Sequence, residues 1–275
     1  MITHCLKGFA AVALALATAA CGSNMHFSVG EDDGVPLAEL DMTGAAPTKL
    51  VLAGPDRVVV SEGSELDIKV SGDAEAVEAL RFNLEDGTLG IMRDKDWKGK
   101  GTATVAVTMP PAREIVLAGS GDIRAPALVD DAEVSIAGSG NVAVARVAAS
   151  KLQVNVMGSG TLSAAGRAET LDFNVAGSGT LDARELTVSR AEINIAGSGG
   201  GEFASDGKVE ARIAGSGDVT VYGRADCSIK AMGSGQVRCR PAGGSAEAAP
   251  AAPPAPAPPA APGAPSAPEA PTPSE

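Results

Sequence analysis

Three features predict an all-β chain folded as a right-handed parallel β-helix (β-solenoid) of about six coils, with an N-terminal β cap. The tripeptide Gly-Ser-Gly recurs at 119–121, 138–140, 158–160, 177–179, 197–199, 215–217 and 233–235. Its spacings are 19, 20, 19, 20, 18 and 18 residues, the mark of a stacked repeat rather than of chance. The flanks alternate apolar and polar, the period of a strand with one buried face.

Met1 to Ala20 reads as a signal peptide. Lys7 gives the positive start, and Phe9 to Ala17 is an apolar stretch too short to span a bilayer as a helix. Thr18, Ala19 and Ala20 then precede Cys21. This arrangement resembles a bacterial lipobox, although Thr18 stands where that motif has Leu, Val or Ile. The resemblance implies lipidation of Cys21. Because Gly22 rather than Asp follows, it also implies anchoring at the outer membrane. The alternative is ordinary cleavage after an A-x-A-like site. Residues 21–47 read as a solvated tether. Its Glu31, Asp32 and Asp33 lack the ligand spacing of a calcium loop.

Residues 48–112 alternate without the tripeptide and are expected to be a β cap or opening coils, since terminal solenoid units are atypical. Leu50–Leu52, Arg57–Val60, Leu66–Val70, Phe82–Leu84, Thr88–Ile91 and Thr102–Thr108 read as strands. Ala74 to Leu80 reads as a helical turn, Glu85-Asp-Gly87 as a hairpin turn, and Asp94 to Lys100 as a polar loop holding Trp97. Pro110 and Pro111 mark entry into the first coil, because proline cannot extend a central strand.

Residues 113–240 are the repeat. Leu117, Ile136, Val156, Val175, Ile195, Ile213 and Ala231 precede the first glycine of successive corners by two, and Ile115, Val134, Val154, Phe173, Ile193, Ala211 and Ile229 precede those by two again. Past the corner Ile123, Val142, Leu162, Leu181, Val219 and Val237 resume the inward row, which Gly200 and Gly201 break in the fifth copy. No unit of this kind buries its apolar face alone, but stacked copies share one core. The corners then form a column, and their serines are expected to form a hydrogen-bonded ladder, either buried or facing a trough. Asn155, Asn174 and Asn194 align on the outward face beside Ser135. They are either a ladder that stabilises the stack or a binding row.

Cys227 and Cys239 both fall at inward positions of the last coil. Outside the cytoplasm such a pair reads as a disulfide clamping that coil. Residues 241–275 are almost all Ala, Pro, Gly, Ser and Glu, the composition of an extended, disordered tail.

The charge excludes some partners. Lys and Arg total 22 against 34 for Asp and Glu, a net charge of −12. No basic face for nucleic acid is visible, and the overall balance argues against electrostatic docking to anionic lipid. The only histidines, His4 and His26, lie outside the repeats, so the serines read as structure, not as nucleophiles. No metal or cofactor site is expected; calcium nonapeptide repeats have half this period and keep an Asp that varies here.

The stretches Asp86-Gly-Thr-Leu-Gly-Ile91, Val105-Ala-Val-Thr-Met-Pro110 and Glu114-Ile-Val-Leu-Ala-Gly-Ser-Gly121 resemble the head GIN domain family, named for the head of an auto-transporter adhesin. The resemblance spans about residues 48–240. It implies an extracytoplasmic β-helical domain, often on bacterial lipoproteins, and little chemistry. The expected function is a non-enzymatic envelope scaffold or adhesion module, with the outer membrane as partner through the lipid anchor and an envelope protein or glycan as candidate ligand. The rival is a polysaccharide-acting enzyme with Asp122, Asp182 and Asp218 as candidate acids. Against it, aromatic residues are 3% of the chain and Tyr222 is the only tyrosine, which is poor in sugar platforms. A third reading is a self-associating structural protein.

Overall fold

The computed structural model describes residues 34–240. The signal segment, Cys21 and residues 241–275 lie outside the described residues. The chain enters through a 3-10 turn at Leu37–Glu39, followed by β1 (Lys49–Ala53) and β2 (Arg57–Glu62). Next come β3 (Asp67–Gly72), the short helix α1 (Ala74–Glu78), and the hairpin of β4 (Leu80–Glu85) and β5 (Thr88–Arg93). β6 (Ala103–Met109) and β7 (Ala112–Gly119) lead into the repeats.

Five long, bent strands then each make one coil between corners: β8 (Asp122–Gly138), β9 (Asn141–Gly158), β10 (Thr161–Gly177), β11 (Thr180–Gly197) and β12 (Gly200–Gly215). The last coil is split into β13 (Asp218–Tyr222), β14 (Asp226–Gly233) and β15 (Gln236–Arg240). From β7 onward every pairing is parallel and in repeat register: Val154 lies opposite Phe173, which lies opposite Ile193. The result is a β-solenoid of about seven turns. Gly200 and Gly201 do not interrupt it, since β12 starts there and Phe203 fills the core two residues on.

Each coil sends one row of side chains into the shared interior. Leu117, Ile136, Val156, Ile195 and Ile213 are all buried, as are Phe82, Phe173 and Phe203. Every such side chain contributes about 1.5–3 kcal/mol relative to exposure, with stacked neighbours above and below.

The corners explain the glycines. Gly138 has φ +126°, and a Cβ there would meet the carbonyl oxygen of Gly119 one coil down. Only glycine meets both demands without strain. The serines between the glycines do not form the expected ladder. Ser139, Ser159, Ser178 and Ser198 are exposed, and their hydroxyls make none of the hydrogen bonds found among the described residues. The column is instead tied through the backbone, Ser159 N donating to Gly138 O at 2.8 Å and Ser178 N to Gly158 O at 2.8 Å.

The solenoid starts earlier than the tripeptides. β1 pairs parallel with β7, Ala53 opposite Ala118, and Arg57 stands opposite Asp122. Gly54-Pro55-Asp56 therefore occupies the level of Gly119-Ser120-Gly121 and forms a corner without the tripeptide, and the prolines at 110–111 join two coils instead of opening the first. Asp56 is 1% exposed and takes the Arg93 guanidinium. Below it the antiparallel β4–β5 hairpin closes this end, turning at Asp86 (φ 48°) and Gly87 (φ 72°), a pair of left-handed residues suited to a tight hairpin. Val35 bridges to Phe82 and covers the outer edge of β4.

Candidate binding trough

The outward face before each corner carries three parallel rows, because register repeats from coil to coil. The central row is Ser135, Asn155, Asn174, Asn194, Arg212 and Lys230. The row nearer the corner is Ala137, Met157, Ala176, Ala196, Ala214 and Met232. On the other side run Glu133, Gln153, Asp172, Glu192 and Glu210.

The three predicted asparagines are brought together in one hydrogen-bonded line. Asn194 Nδ2 donates to Asn174 Oδ1 at 3.1 Å, and Asn174 Nδ2 donates to Asn155 Oδ1 at 3.2 Å. Asn155 Nδ2 in turn donates to Glu133 Oε1 at 3.2 Å and approaches Ser135 Oγ at 3.4 Å. Arg212 continues the line by contacting Asn194 Oδ1 at 3.5 Å and pairing with Glu192. Ser135 and Asn155 are buried, Asn174 and Asn194 half-buried, and Arg212 and Lys230 exposed. An asparagine amide has two N–H donors. Asn174 and Asn194 each commit one to the line, leaving the other without a partner among the described residues.

Between the asparagine and alanine rows lies an open trough of about 560 Å³, running from Asn155 and Met157 to Lys230 and Met232. Alanine methyls keep the corner-side wall low, and the methionines stand at its two ends. The sequence reading found the asparagines but not this wall. The signal was present: Ala118, Ala137, Ala176, Ala196 and Ala214 each immediately precede a corner glycine.

The acidic row is largely neutralised. Lys151 lies 2.9 Å from Asp172, and Lys208 lies 2.6 Å from Glu210. The hydrogen bond that Lys151 donates to Asp172 holds its ammonium above the usual lysine range. Lys208 likewise holds the Glu210 carboxyl below the usual carboxylate range, first by its hydrogen bond and then by its charge.

The carboxylates considered for acid–base work lie past the corner, on another face. Asp122 is on β8, Asp182 on β11 and Asp218 on β13, three and two strands apart in the sheet order. At about 4.8 Å per strand the Asp122 and Asp182 backbones are roughly 14 Å apart, wider than the roughly 5–9.5 Å of paired glycosidase carboxylates, and Asp182 is in register with Glu202 and Thr220, two residues past Asp218. Asp122 pairs instead with Arg57 at 3.4 Å and accepts Asn141 Nδ2 at 3.0 Å. Asp182 borders a second hollow with Ser163, Ala165 and Arg184. Beside it Glu202 binds Arg184 and accepts the Tyr222 hydroxyl at 3.1 Å.

Cys227 and Cys239 are joined, their Cα atoms 6.8 Å apart. Cys227 continues the row of Val209 and Cys239 the row of Val221, so the bridge crosses the end of the core between two sheet faces. Among the described residues no group of three or more His, Cys, Asp or Glu could hold a metal ion, and no helix is long and apolar enough to cross a membrane.

Stacked parallel coils bearing a solvent-facing trough define the protein as a β-solenoid. The chain belongs to the family described as "Putative auto-transporter adhesin, head GIN domain", whose model matches residues 46–225. Solved structures share the fold. A "putative adhesin" from Bacteroides fragilis is 21% identical with a TM-score of 0.62, covering 71% of this chain and 92% of its own. A "Putative lipid binding protein" from Parabacteroides distasonis is 22% identical with a TM-score of 0.54, covering 71% and 94%. A "putative adhesin" from Parabacteroides merdae is 20% identical with a TM-score of 0.53, covering 70% and 92%. No curated protein matches the chain.

Proposed function

We propose that this chain is a non-enzymatic, lipid-anchored binding module of the cell envelope, and that the trough along Asn155, Asn174 and Asn194 is its binding face. The observation that carries this reading is the trough itself. A rigid row of amides with spare N–H donors runs beside a low apolar wall. A rigid, preorganised surface loses little entropy on binding. Family membership agrees with an adhesive role, and the cysteine pair suits an oxidising compartment. Anchoring would come from Cys21, placing the solenoid at the outer membrane with an envelope glycan or protein as ligand.

The test is binding of the purified full chain to an immobilised panel of envelope glycans and envelope proteins. The expected result is saturable binding without turnover, reduced at least tenfold by Ala196→Arg, which fills the trough from an exposed position. Turnover of a glycan that is lost in Asp182→Asn or Asp218→Asn would favour the enzyme instead. For anchoring, metabolic labelling with a tagged fatty acid should mark the chain and fail in Cys21→Ser.

A further inference from the structure

The two ends of the solenoid differ. The N-terminal end is closed by the β4–β5 hairpin and by Val35. At the other end β14 pairs only with β12, and β15 only with β13, among the described residues. Ile229 continues the inward row of Ala211 yet is 45% exposed, and Met232, beyond Ala214, is 77% exposed. They are two of the three exposed large apolar side chains among the described residues. Both stand on β14, the last strand stacked on β12.

The charge of this tip opposes that of the whole. Residues 224–240 hold Arg224, Lys230, Arg238 and Arg240 against a single carboxylate, Asp226, in a chain of net charge −12. Arg224 faces Asp206 at 3.7 Å. Lys230, Arg238 and Arg240 form no ion pair among the described residues; Arg238 donates only to Gln236, and Lys230 and Arg240 act on Glu210 and Glu202 from a distance. The Cys227–Cys239 bridge joins β14 to β15, so these apolar and basic groups share one terminal coil.

We propose that this C-terminal coil docks on the surface of an anionic phospholipid membrane, Ile229 and Met232 entering the interface while Lys230, Arg238 and Arg240 meet lipid phosphates. Exposed apolar groups and unpaired cations on one terminal coil suit that boundary, where burial and attraction to anionic lipid add. A second copy of the chain fits less well. End-to-end pairing would bring the same unpaired cations against one another, and lysine and arginine on edge strands discourage such pairing. Lys230 and Met232 also line the far end of the trough, while Ile229, Arg238 and Arg240 do not, so glycan and protein binding measured on Ile229→Ser and on Arg238→Gln with Arg240→Gln tells failure of the docking tip from failure of the trough.

The test is cosedimentation of the full chain with vesicles of phosphatidylcholine alone and of phosphatidylcholine mixed with phosphatidylglycerol. A triple variant, Lys230→Gln, Arg238→Gln and Arg240→Gln, and a double variant, Ile229→Ser and Met232→Ser, are compared with the parent. All five positions are exposed, and each variant keeps the parent's N-terminus, so binding from that end is common to all. Anionic vesicles should bind the parent at least tenfold better than neutral ones, with the preference shrinking as salt rises. The triple variant should lose about two orders of magnitude in partitioning, roughly fivefold per cation, and the double variant should lose binding to both vesicle types. Equal binding of parent and triple variant, no preference for anionic vesicles, or self-association through the tip without vesicle binding would each overturn the proposal.

Discussion

Arg93 Nε donates to Asp56 Oδ2 at 2.6 Å inside the N-terminal cap, where the Asp56 carboxylate also accepts the Ala103 N–H at 2.7 Å. Arg93 reaches further, to Ala76 O at 2.8 Å and over the Trp97 ring at 4.1 Å. One ion pair thus ties the first corner to α1, β6 and the tryptophan loop. Removing one partner leaves a buried charge unmatched, at a cost of about 3–5 kcal/mol. Asp56→Ala should show that loss in urea unfolding at neutral pH. The double variant Asp56→Ala, Arg93→Met should lose less than the two single changes added together.

The corner prediction separates glycine from serine. A Cβ on Gly140 would meet the Gly121 carbonyl and the Leu117 side chain. Gly140→Ala should therefore cost at least about 1–3 kcal/mol through overpacking, while Ser139→Ala, on an exposed side chain, should stay within about 0.5 kcal/mol. Denaturation midpoints of the two variants decide it.

Within the asparagine line, position sets the cost. Asn155→Ala strips the acceptor from the Asn174 amide at a buried site and should cost about 1–3 kcal/mol. Asn194→Ala, at the half-buried end, leaves groups that water can reach and should cost about 1 kcal/mol or less. Equal losses in urea titrations would count against a graded ladder.

Reducing the Cys227–Cys239 bridge should loosen only the last coil. Coils in a solenoid interact with nearest neighbours, so hydrogen exchange should speed up in β14 and β15 and stay slow in β9 and β10. Cys227→Ser with Cys239→Ser should reproduce the pattern. The expected loss is about 2–3 kcal/mol for a short loop.

Acid should weaken the face around Glu202. The hydrogen bond from Arg184, more than any other contact, holds the Glu202 carboxyl below the usual range. Its folded value is below its unfolded value, so its stabilisation is present above ordinary carboxylate titration and fades as pH falls through the folded value. With both partners partly exposed, the effect is at most about 1 kcal/mol. The difference between the parent and Glu202→Gln should be measurable at pH 7 and vanish in strong acid.

Much of this was legible along the chain. Period-two alternation is a local property, and a fixed repeat carries it from coil to coil. Asn155, Asn174 and Asn194 could therefore be placed in one row, and Cys227 and Cys239 in one coil. The first corner was not legible, because Gly54-Pro55-Asp56 shares only its opening glycine with the repeat. Asp56 can carry a side chain there because Arg93, distant in sequence, comes to meet it. The serine hydroxyls were also misplaced, since their direction follows from backbone dihedrals that the residue type does not reveal.

The order of residues by itself determined the stack, its register and the identity of each row. The tertiary structure alone decided which members of a row meet water. Ile193 and Ile229 occupy equivalent inward positions, two coils apart, yet one is buried and the other is 45% exposed. The physical reason is that a solenoid residue is covered by the coils on either side of it. The same cause gathers unpaired cations and bare apolar groups at one end of an otherwise acidic chain, a segregation that its total charge conceals.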